Sequence, residues 1–202
     1  VADHFQYLAS LAFFAVAAAG LMLVAARLPR WAGVAAGIAL LATLGGLTRM
    51  QGGMYRDVIT LFQTTVDRNP DAWLAHNNLA VALTDAGRVE EAVPHLEQVL
   101  RLRPDDAKAE CNLGDDLTRL GRPLEALPHL ERAVRLQPDY AEAHNNLGHA
   151  LMAAGRASEG MAQYEQALRF QPDYAVAERN LGLALATAGR TAEALPHFER
   201  AV

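Results

Sequence analysis

Four asparagines occupy one position of a repeated sequence, 34 residues apart, at Asn78, Asn112, Asn146 and Asn180. Each carboxamide carries hydrogen-bond donors and an acceptor, so a row of them can bind the backbone of an extended peptide whatever its sequence. The alternative is that each asparagine serves local hydrogen bonds of the repeat. The pattern alone leaves two interpretations open: the asparagines bind a peptide, or they stabilise the repeats themselves.

Side chains suited to catalysis or metal binding are sparse. Three histidines share another repeat position, but stacked helices would hold them about 10 Å apart, too far to share a metal ion: His95, His129 and His197. We interpret them as half-exposed surface residues, and Asp115-Asp116 as a solvated acidic pair. The sequence contains no phosphate-binding loop, Gly-x-Ser-x-Gly motif or His-Glu-x-x-His motif. We therefore expect a chain that is not an enzyme and that uses no cofactor or metal ion.

The composition narrows the class of protein further. A net charge of −5 over 202 residues argues against a nucleic-acid partner, which would require a basic surface. Cys111 is the single cysteine, so neither an internal disulfide nor a cysteine-based metal site can form. Charge is also distributed unevenly, because residues 1–48 contain few charged or histidine side chains: Asp3, His4, Arg27 and Arg30.

The polar part of the chain repeats every 34 residues. Each repeat has a leucine, a glycine before arginine and a proline before aspartate, at Leu79, Leu113, Leu147 and Leu181, at Gly87, Gly121, Gly155 and Gly189, and at Pro70, Pro104, Pro138 and Pro172. Such a period is typical of a solenoid, in which each repeat buries its apolar face against the next one. In the first repeat, the apolar pattern predicts a helix within 73–86 that ends at the glycine, and a second helix over 89–102.

This pattern closely resembles the tetratricopeptide repeat over about residues 69–202. The family's Leu-Gly pair and second-helix alanine recur, at Leu113-Gly114, Leu147-Gly148 and Leu181-Gly182, and at Ala92, Ala126 and Ala194. Ala80 departs from the glycine, and Gly160 departs from the alanine, which predicts a third repeat looser by up to about 1 kcal/mol. The resemblance implies an all-α fold, a right-handed superhelix of antiparallel helix pairs, with three full repeats and a truncated fourth.

The resemblance also implies a concave groove lined by the first helix of every repeat. In some members of the family, asparagines at the position of the row hold the backbone of an extended peptide. The predicted groove contains, beside the row, Asn77, Val81, Lys108, Asp115, Asn145, His149, Arg179 and Leu183. A carboxylate clamp is another binding mode of the family, but Lys108, Arg119 and Arg179 are too scattered to form one.

Residues 1–48 predict a membrane anchor of two transmembrane helices. The apolar runs 8–26 and 31–48 are each about long enough to span a bilayer, and Pro29 interrupts them. A signal peptide is the rival interpretation of the first run, but residues 1–4 lack its basic start.

Gly33 and Gly37 form a small-xxx-small motif that would let the hairpin pack against other membrane helices, although an Ala- and Gly-rich segment produces such spacings by chance. Residues 49–68 follow as a linker and a half-repeat helix, so the array would stand close to the bilayer. Arg27 and Arg30 favour a cytoplasmic turn, whereas the arginines after the second run favour the reverse. We expect the array on the periplasmic, outer face of an inner membrane.

The membrane part and the first repeat together resemble a second family. "VADHFQYLAS", the two apolar runs and "MYRDVITLFQTTVDRNPDAWLAHNNLA" are similar to the C-terminal portion of transmembrane glycosyltransferase-like proteins with tetratricopeptide repeats. Tyr7-Leu8-Ala9-Ser10 lacks the proline of that family's motif. The resemblance implies repeats on the outer or lumenal side. It places the catalytic acidic residues in early external loops, so we do not transfer the activity to this chain.

These features predict a membrane-anchored interaction scaffold. We expect an accessory subunit or assembly factor of a larger membrane complex. Its partners would be the lipid bilayer and proteins, either integral membrane subunits or an extended peptide, and not nucleic acid. The alternative is the acceptor-presenting C-terminal region of a transmembrane O-glycosyltransferase-like enzyme. Leu195, Phe198 and Val202 lack a polar cap helix, so either the chain continues or this face meets a partner.

Overall fold

Helices alternate with short turns throughout residues 58–201, the part of the chain that the computed structural model describes. In chain order the helices are α1 (Val58–Arg68), α2 (Trp73–Asp85), α3 (Val89–Leu102), α4 (Ala107–Arg119), α5 (Pro123–Leu136), α6 (Ala141–Ala153), α7 (Ala157–Phe170), α8 (Ala175–Thr187) and α9 (Thr191–Arg200). None of these helices combines the length and the apolar character needed to cross a bilayer. The predicted membrane segments, with Gly33 and Gly37, lie outside the described residues.

The helices after α1 form four helix–turn–helix pairs, α2–α3, α4–α5, α6–α7 and α8–α9. Each pair contacts the next, and the first helices of adjacent pairs also contact one another, while α1 packs against α2. The described residues belong to one unit that begins at Asp57. This arrangement confirms the predicted all-α tetratricopeptide solenoid.

A glycine ends the first helix of every pair, as the sequence predicts. Gly87 has a φ of +76°, a left-handed conformation that costs a glycine little because it has no Cβ. Its N–H donates to the carbonyl of Thr84 at 3.0 Å, and the N–H of Arg88 donates to the carbonyl of Leu83 at 2.8 Å. These bonds satisfy the last carbonyls of the helix and turn the chain back toward α3.

The two helices of a pair approach closely where the family pattern places small residues. A Cβ added to Gly114 on α4 would lie 2.3 Å from Cγ of Leu130 on α5, so no larger residue fits without a shift. Leu130 is itself fully buried, as are Leu96 and Ala126. In the second repeat, Gly114 and Leu130 are therefore two sides of one contact.

The third repeat has a tyrosine where the first two repeats have a leucine, and a glycine, Gly160, where they have an alanine. Tyr164 fills the space that leucines occupy in the first two repeats, and it is 3% exposed. A Cβ at Gly160 would lie 2.9 Å from the carbonyl oxygen of Gly148 and 2.9 Å from Cγ of Met152. The glycine thus permits a close approach of α6 and α7, a packing role beyond the loosening that the sequence predicts.

Candidate functional site

Two asparagines of the predicted row, Asn146 and Asn180, take part in a chain of hydrogen bonds that crosses between repeats. The amide nitrogen of Asn180 on α8 donates to the side-chain oxygen of Asn145 on α6 at 2.9 Å. Asn145 donates in turn to Asn146 at 3.2 Å, and Asn146 donates to the sulfur of Cys111 on α4 at 3.5 Å. Because these bonds join neighbouring first helices, the side chains do more than serve their own repeat.

Asn112 lies on α4, and its hydrogen-bonding capacity is unused. Its side-chain nitrogen is enclosed and has no hydrogen-bond partner among the described residues. A buried donor without a partner is unfavourable by about 1–3 kcal/mol. Asn112 also lines a pocket of about 200 Å³ between α2 and α4. Because this nitrogen is enclosed, a ligand carbonyl in the pocket could accept its hydrogen bond only after the Asn112 side chain turns.

The other predicted groove residues are distributed over the first helices without forming one cluster. Asn77 and Asn78 are half-buried on α2. Lys108 and Arg179 are exposed on α4 and α8, which α6 separates.

The pocket between α2 and α4 contains a buried carboxylate that the sequence interpretation placed in solvent. Asp116 is 2% exposed, and the Thr84 hydroxyl lies 3.0 and 2.9 Å from its two oxygens. The prediction of a solvated pair is therefore wrong for Asp116. The sequence did contain a signal, because the other three repeats have alanine at this position: Ala82, Ala150 and Ala184.

The electrostatics of this pocket are acidic. Burial raises the pKa of Asp116 to about 6, and the neighbouring charge of Asp115 adds to that effect. Burial also raises the pKa of Asp115, although Arg119 lies 3.9 Å from its carboxylate and opposes the rise. Asp85 and Glu142 line the same pocket. The lining of this pocket thus contains four carboxylates and one guanidinium.

Cys111 joins the amide chain without offering a reactive thiol. It is fully buried, and burial raises its pKa to about 12. Since the thiolate is the nucleophilic form, this cysteine is inert at neutral pH. Its structural role is to accept the hydrogen bond from Asn146.

Apolar side chains mark both ends of the groove. Leu74 and Val81 on α2 are 54% and 39% exposed, and Val176 and Leu183 on α8 are 39% and 61% exposed. On α4 and α6 the corresponding positions carry polar or charged residues: Lys108, Asp115, Glu142 and His149. The groove therefore has apolar ends and a polar centre.

A second set of polar contacts joins the two helices inside each repeat, and it involves the repeated histidines. These histidines are partly exposed, as the sequence predicts, but each also contacts a buried side chain of the preceding helix. The pairs and their closest distances are His76–His95 at 3.0 Å, Glu110–His129 at 2.6 Å, His144–Gln163 at 2.8 Å and Glu178–His197 at 2.5 Å.

These pairs alternate in charge from one repeat to the next. In the second and fourth repeats an arginine also contacts the buried glutamate, with Arg132 3.2 Å from Glu110 and Arg200 2.6 Å from Glu178. The first and third repeats have a buried histidine in place of the glutamate and a glutamine in place of the arginine: His76 with Gln98, and His144 with Gln166. A repeat that has the buried glutamate thus also has the arginine, and a repeat without the glutamate has neither.

The histidines do not assemble a metal site within the part of the chain that the structure describes, where no three potential ligands lie close enough together to hold an ion.

The stacked helix pairs place the described residues in the class of α-solenoid proteins. Tetratricopeptide repeat models match residues 71–139, and residues 111–175 and 147–202. The chain therefore belongs to the tetratricopeptide repeat family over residues 71–202, which is more than half of its length.

Solved structures of the same fold include MamA and YrrB. A structure of MamA from AMB-1 has a TM-score of 0.62 and 26% identity, and covers 78% of this chain and 93% of that chain. MamA from Desulfovibrio magneticus RS-1 has a TM-score of 0.65 and 21% identity, and covers 81% and 92%. YrrB, described as a tetratricopeptide repeat protein with an unusual peptide-binding site, has a TM-score of 0.58 and 24% identity, and covers 81% and 80%. No curated protein sequence matches the chain significantly.

Proposed function

We propose that this chain is a protein–protein interaction scaffold that binds an extended segment of a partner protein along the groove of its first helices. The observation that carries the proposal is the chain of linked amides Asn180, Asn145 and Asn146. It ends at Cys111, next to Asn112 with its unpaired side-chain nitrogen. An extended peptide has unpaired carbonyls and N–H groups along its whole length, and carboxamides can bind both. YrrB, which has the same fold, is described as having a peptide-binding site, and this supports a peptide as the kind of ligand.

We further propose that the scaffold is attached to an inner membrane by residues 8–26 and 31–48, with the repeats on the outer face. The support is the sequence alone: two apolar runs of membrane-spanning length and the Gly33/Gly37 motif. The scaffold would act as an accessory subunit or assembly factor of a membrane complex. Its hairpin would pack against integral membrane subunits while its groove holds a peptide segment.

Binding is tested by purifying the full chain in mild detergent and identifying its bound proteins by mass spectrometry. The groove variant Asn146→Ala/Asn180→Ala removes two linked amides, and Glu165→Gln, an exposed change on α7, is the matched control. A partner that serves the proposed function is retained by the wild type and the control and lost from the groove variant, with unchanged helicity by circular dichroism. A set of bound proteins from which the groove variant loses none would contradict the proposal. The intact mass of the native chain also tests the glycosyltransferase alternative, which requires a much larger protein.

The orientation is tested by labelling with a membrane-impermeant maleimide. Glu131→Cys places an accessible thiol on α5, whereas the buried Cys111 gives a low background. Labelling of intact spheroplasts would support an outer array. Labelling only after the membrane is permeabilised would place the array inside and overturn this part of the proposal.

A further inference from the structure

We infer, on the basis of the proposed function, that the pocket between α2 and α4 receives a lysine or arginine side chain of the bound peptide. Three properties of the pocket support this inference: its charge, its shape and its unpaired amide. Apart from Asn112, the residues concerned are not members of the asparagine row.

The charge of the pocket is not balanced within the protein. Asp116 is buried, and its recorded hydrogen-bond donor is the neutral hydroxyl of Thr84 rather than a cation. Asp115 lies 3.9 Å from Arg119, at the limit of an ion pair, and that arginine is the pocket's one cationic residue. Asp85 and Glu142 add two more carboxylates. A ligand cation would therefore find an excess of negative charge in a partly enclosed site, where opposite charges attract more strongly than in water.

The shape of the pocket suits a long side chain with a charged end. Its volume is about 200 Å³, and its lining includes the aliphatic side chains of Ala80, Val81 and Leu96 beside the carboxylates. Lysine and arginine bury their methylene groups against apolar surface while the charged group reaches polar partners. An acidic side chain would meet like charge, and a short apolar side chain would leave the carboxylates unpaired.

The unpaired amide of Asn112 identifies the ligand as more than a free cation. Its nitrogen needs an acceptor, which a metal ion or a simple amine does not provide. Once the enclosed Asn112 side chain turns toward the pocket, a peptide can supply a backbone carbonyl for its nitrogen and a basic side chain for Asp115 and Asp116. The geometry thus favours an extended peptide with a basic residue at this point of the groove.

A selection from a random dodecapeptide library on the full chain in mild detergent tests this inference. We expect lysine or arginine to be enriched at one position of the selected peptides. Replacing that residue by norleucine, which keeps the aliphatic length without charge, should weaken binding at least about tenfold by fluorescence polarisation. The variant Asp115→Asn/Glu142→Gln should weaken the basic peptide to a similar degree and leave the norleucine peptide unchanged, while the control Glu165→Gln changes neither.

The outcomes separate this inference from the proposed function. The selected peptides could lose binding to Asn146→Ala/Asn180→Ala and yet show no basic preference and no response to Asp115→Asn/Glu142→Gln. That result would overturn the basic pocket and leave the peptide groove in place. A selection that yields no binding peptide, or only peptides insensitive to both double variants, would overturn both proposals.

Discussion

His76 and His95 face each other through their Nδ1 atoms, which lie 3.0 Å apart between α2 and α3. The Nε2 atom of His76 lies 2.9 Å from the carbonyl oxygen of Pro70. Because a carbonyl only accepts hydrogen bonds, His76 carries a proton on Nε2, and in its neutral form Nδ1 accepts from His95. Two N–H donors would face each other at this contact only if both rings were protonated.

This contact predicts that acid destabilises the first repeat. Burial, and then the neighbouring charge of His76, lowers the pKa of His95. The unfolded chain then binds more protons than the folded chain just below the ordinary histidine pKa of about 6.5, so stability is lost as the pH falls through that value. The variant His95→Gln copies the partner of His144 in the third repeat, where the amide can donate or accept. As the pH falls from 7.5 to 5.5, the melting temperature of this variant should rise by a few degrees relative to that of the wild type.

His149→Gln is the matched control for this experiment, because His149 is an exposed histidine on α6. Its melting temperature should follow that of the wild type at both pH values. A His95→Gln curve that also runs parallel to the wild type would show that the His76–His95 contact carries no pH dependence.

The alternation of charged and neutral repeats predicts that Glu110 and Arg132 are energetically coupled. Glu110→His alone leaves Arg132 beside two histidines, and Arg132→Gln alone removes a cation from a carboxylate whose side chain is 5% exposed. Each single change should destabilise the protein by about 1–3 kcal/mol. The double variant recreates the His, His and Gln set of the first repeat. It should therefore cost less than the sum of the single changes, with a coupling of at least about 1 kcal/mol by urea unfolding.

The exposed pair Arg122 and Glu125 provides the control for that cycle. Their side chains are 47% and 59% exposed, although the ion-pair distance is only 2.7 Å. Exposed pairs contribute little to stability because water and salt screen their attraction. The cycle of Arg122→Gln and Glu125→Gln should thus show a smaller coupling. Equal couplings at the two sites would contradict a special role for the buried glutamate.

Asp116 predicts a pH dependence of the opposite sign. Its pKa in the folded protein is about 6, above the ordinary value of 3.8. The folded chain therefore holds more protons than the unfolded chain between these values, and stability falls as the pH rises through this window. Asp116→Asn removes the titrating group. The free energy of unfolding of the variant should improve relative to the wild type by about 2 kcal/mol between pH 4.5 and pH 7.5.

Asp139→Asn, an exposed change in the turn before α6, controls for the loss of one negative charge. Its stability relative to the wild type should vary little over the same pH range. If Asp116→Asn behaves in the same way, the buried carboxylate does not oppose folding at neutral pH.

The sequence predicted the fold well because each repeat carries its own marks. The contacts of a solenoid are confined to neighbouring repeats, so positions such as Leu79 and Gly87 meet the same environment every 34 residues. The period and the helix ends followed from that regularity, while a groove lined by the asparagine row stays a prediction. The membrane segments lie outside the described residues and stay a prediction.

The site was less predictable, because its distinctive contacts lie between helices. Glu110 meets His129 19 residues later, and Thr84 meets Asp116 32 residues later. No period within one helix indicates such pairs. Their signal was a departure from the repeat, such as Asp116 among alanines, and its meaning depended on which side chain of the next helix it met.

Replacing Gly160 by alanine combines two effects of opposite sign on stability. Alanine is favoured over glycine inside a helix by up to about 1 kcal/mol, so propensity alone predicts that Gly160→Ala stabilises α7. The added Cβ, however, would lie 2.9 Å from the backbone oxygen of Gly148, and backbone moves less readily than a side chain end. Overpacking of this kind typically costs about 1–3 kcal/mol. We therefore expect Gly160→Ala to destabilise the protein by about 1–2 kcal/mol in urea unfolding. Ala162→Gly, at an exposed site of α7, measures the propensity effect separately. A stabilising Gly160→Ala would mean that α6 and α7 separate readily and that the glycine is not required for their packing.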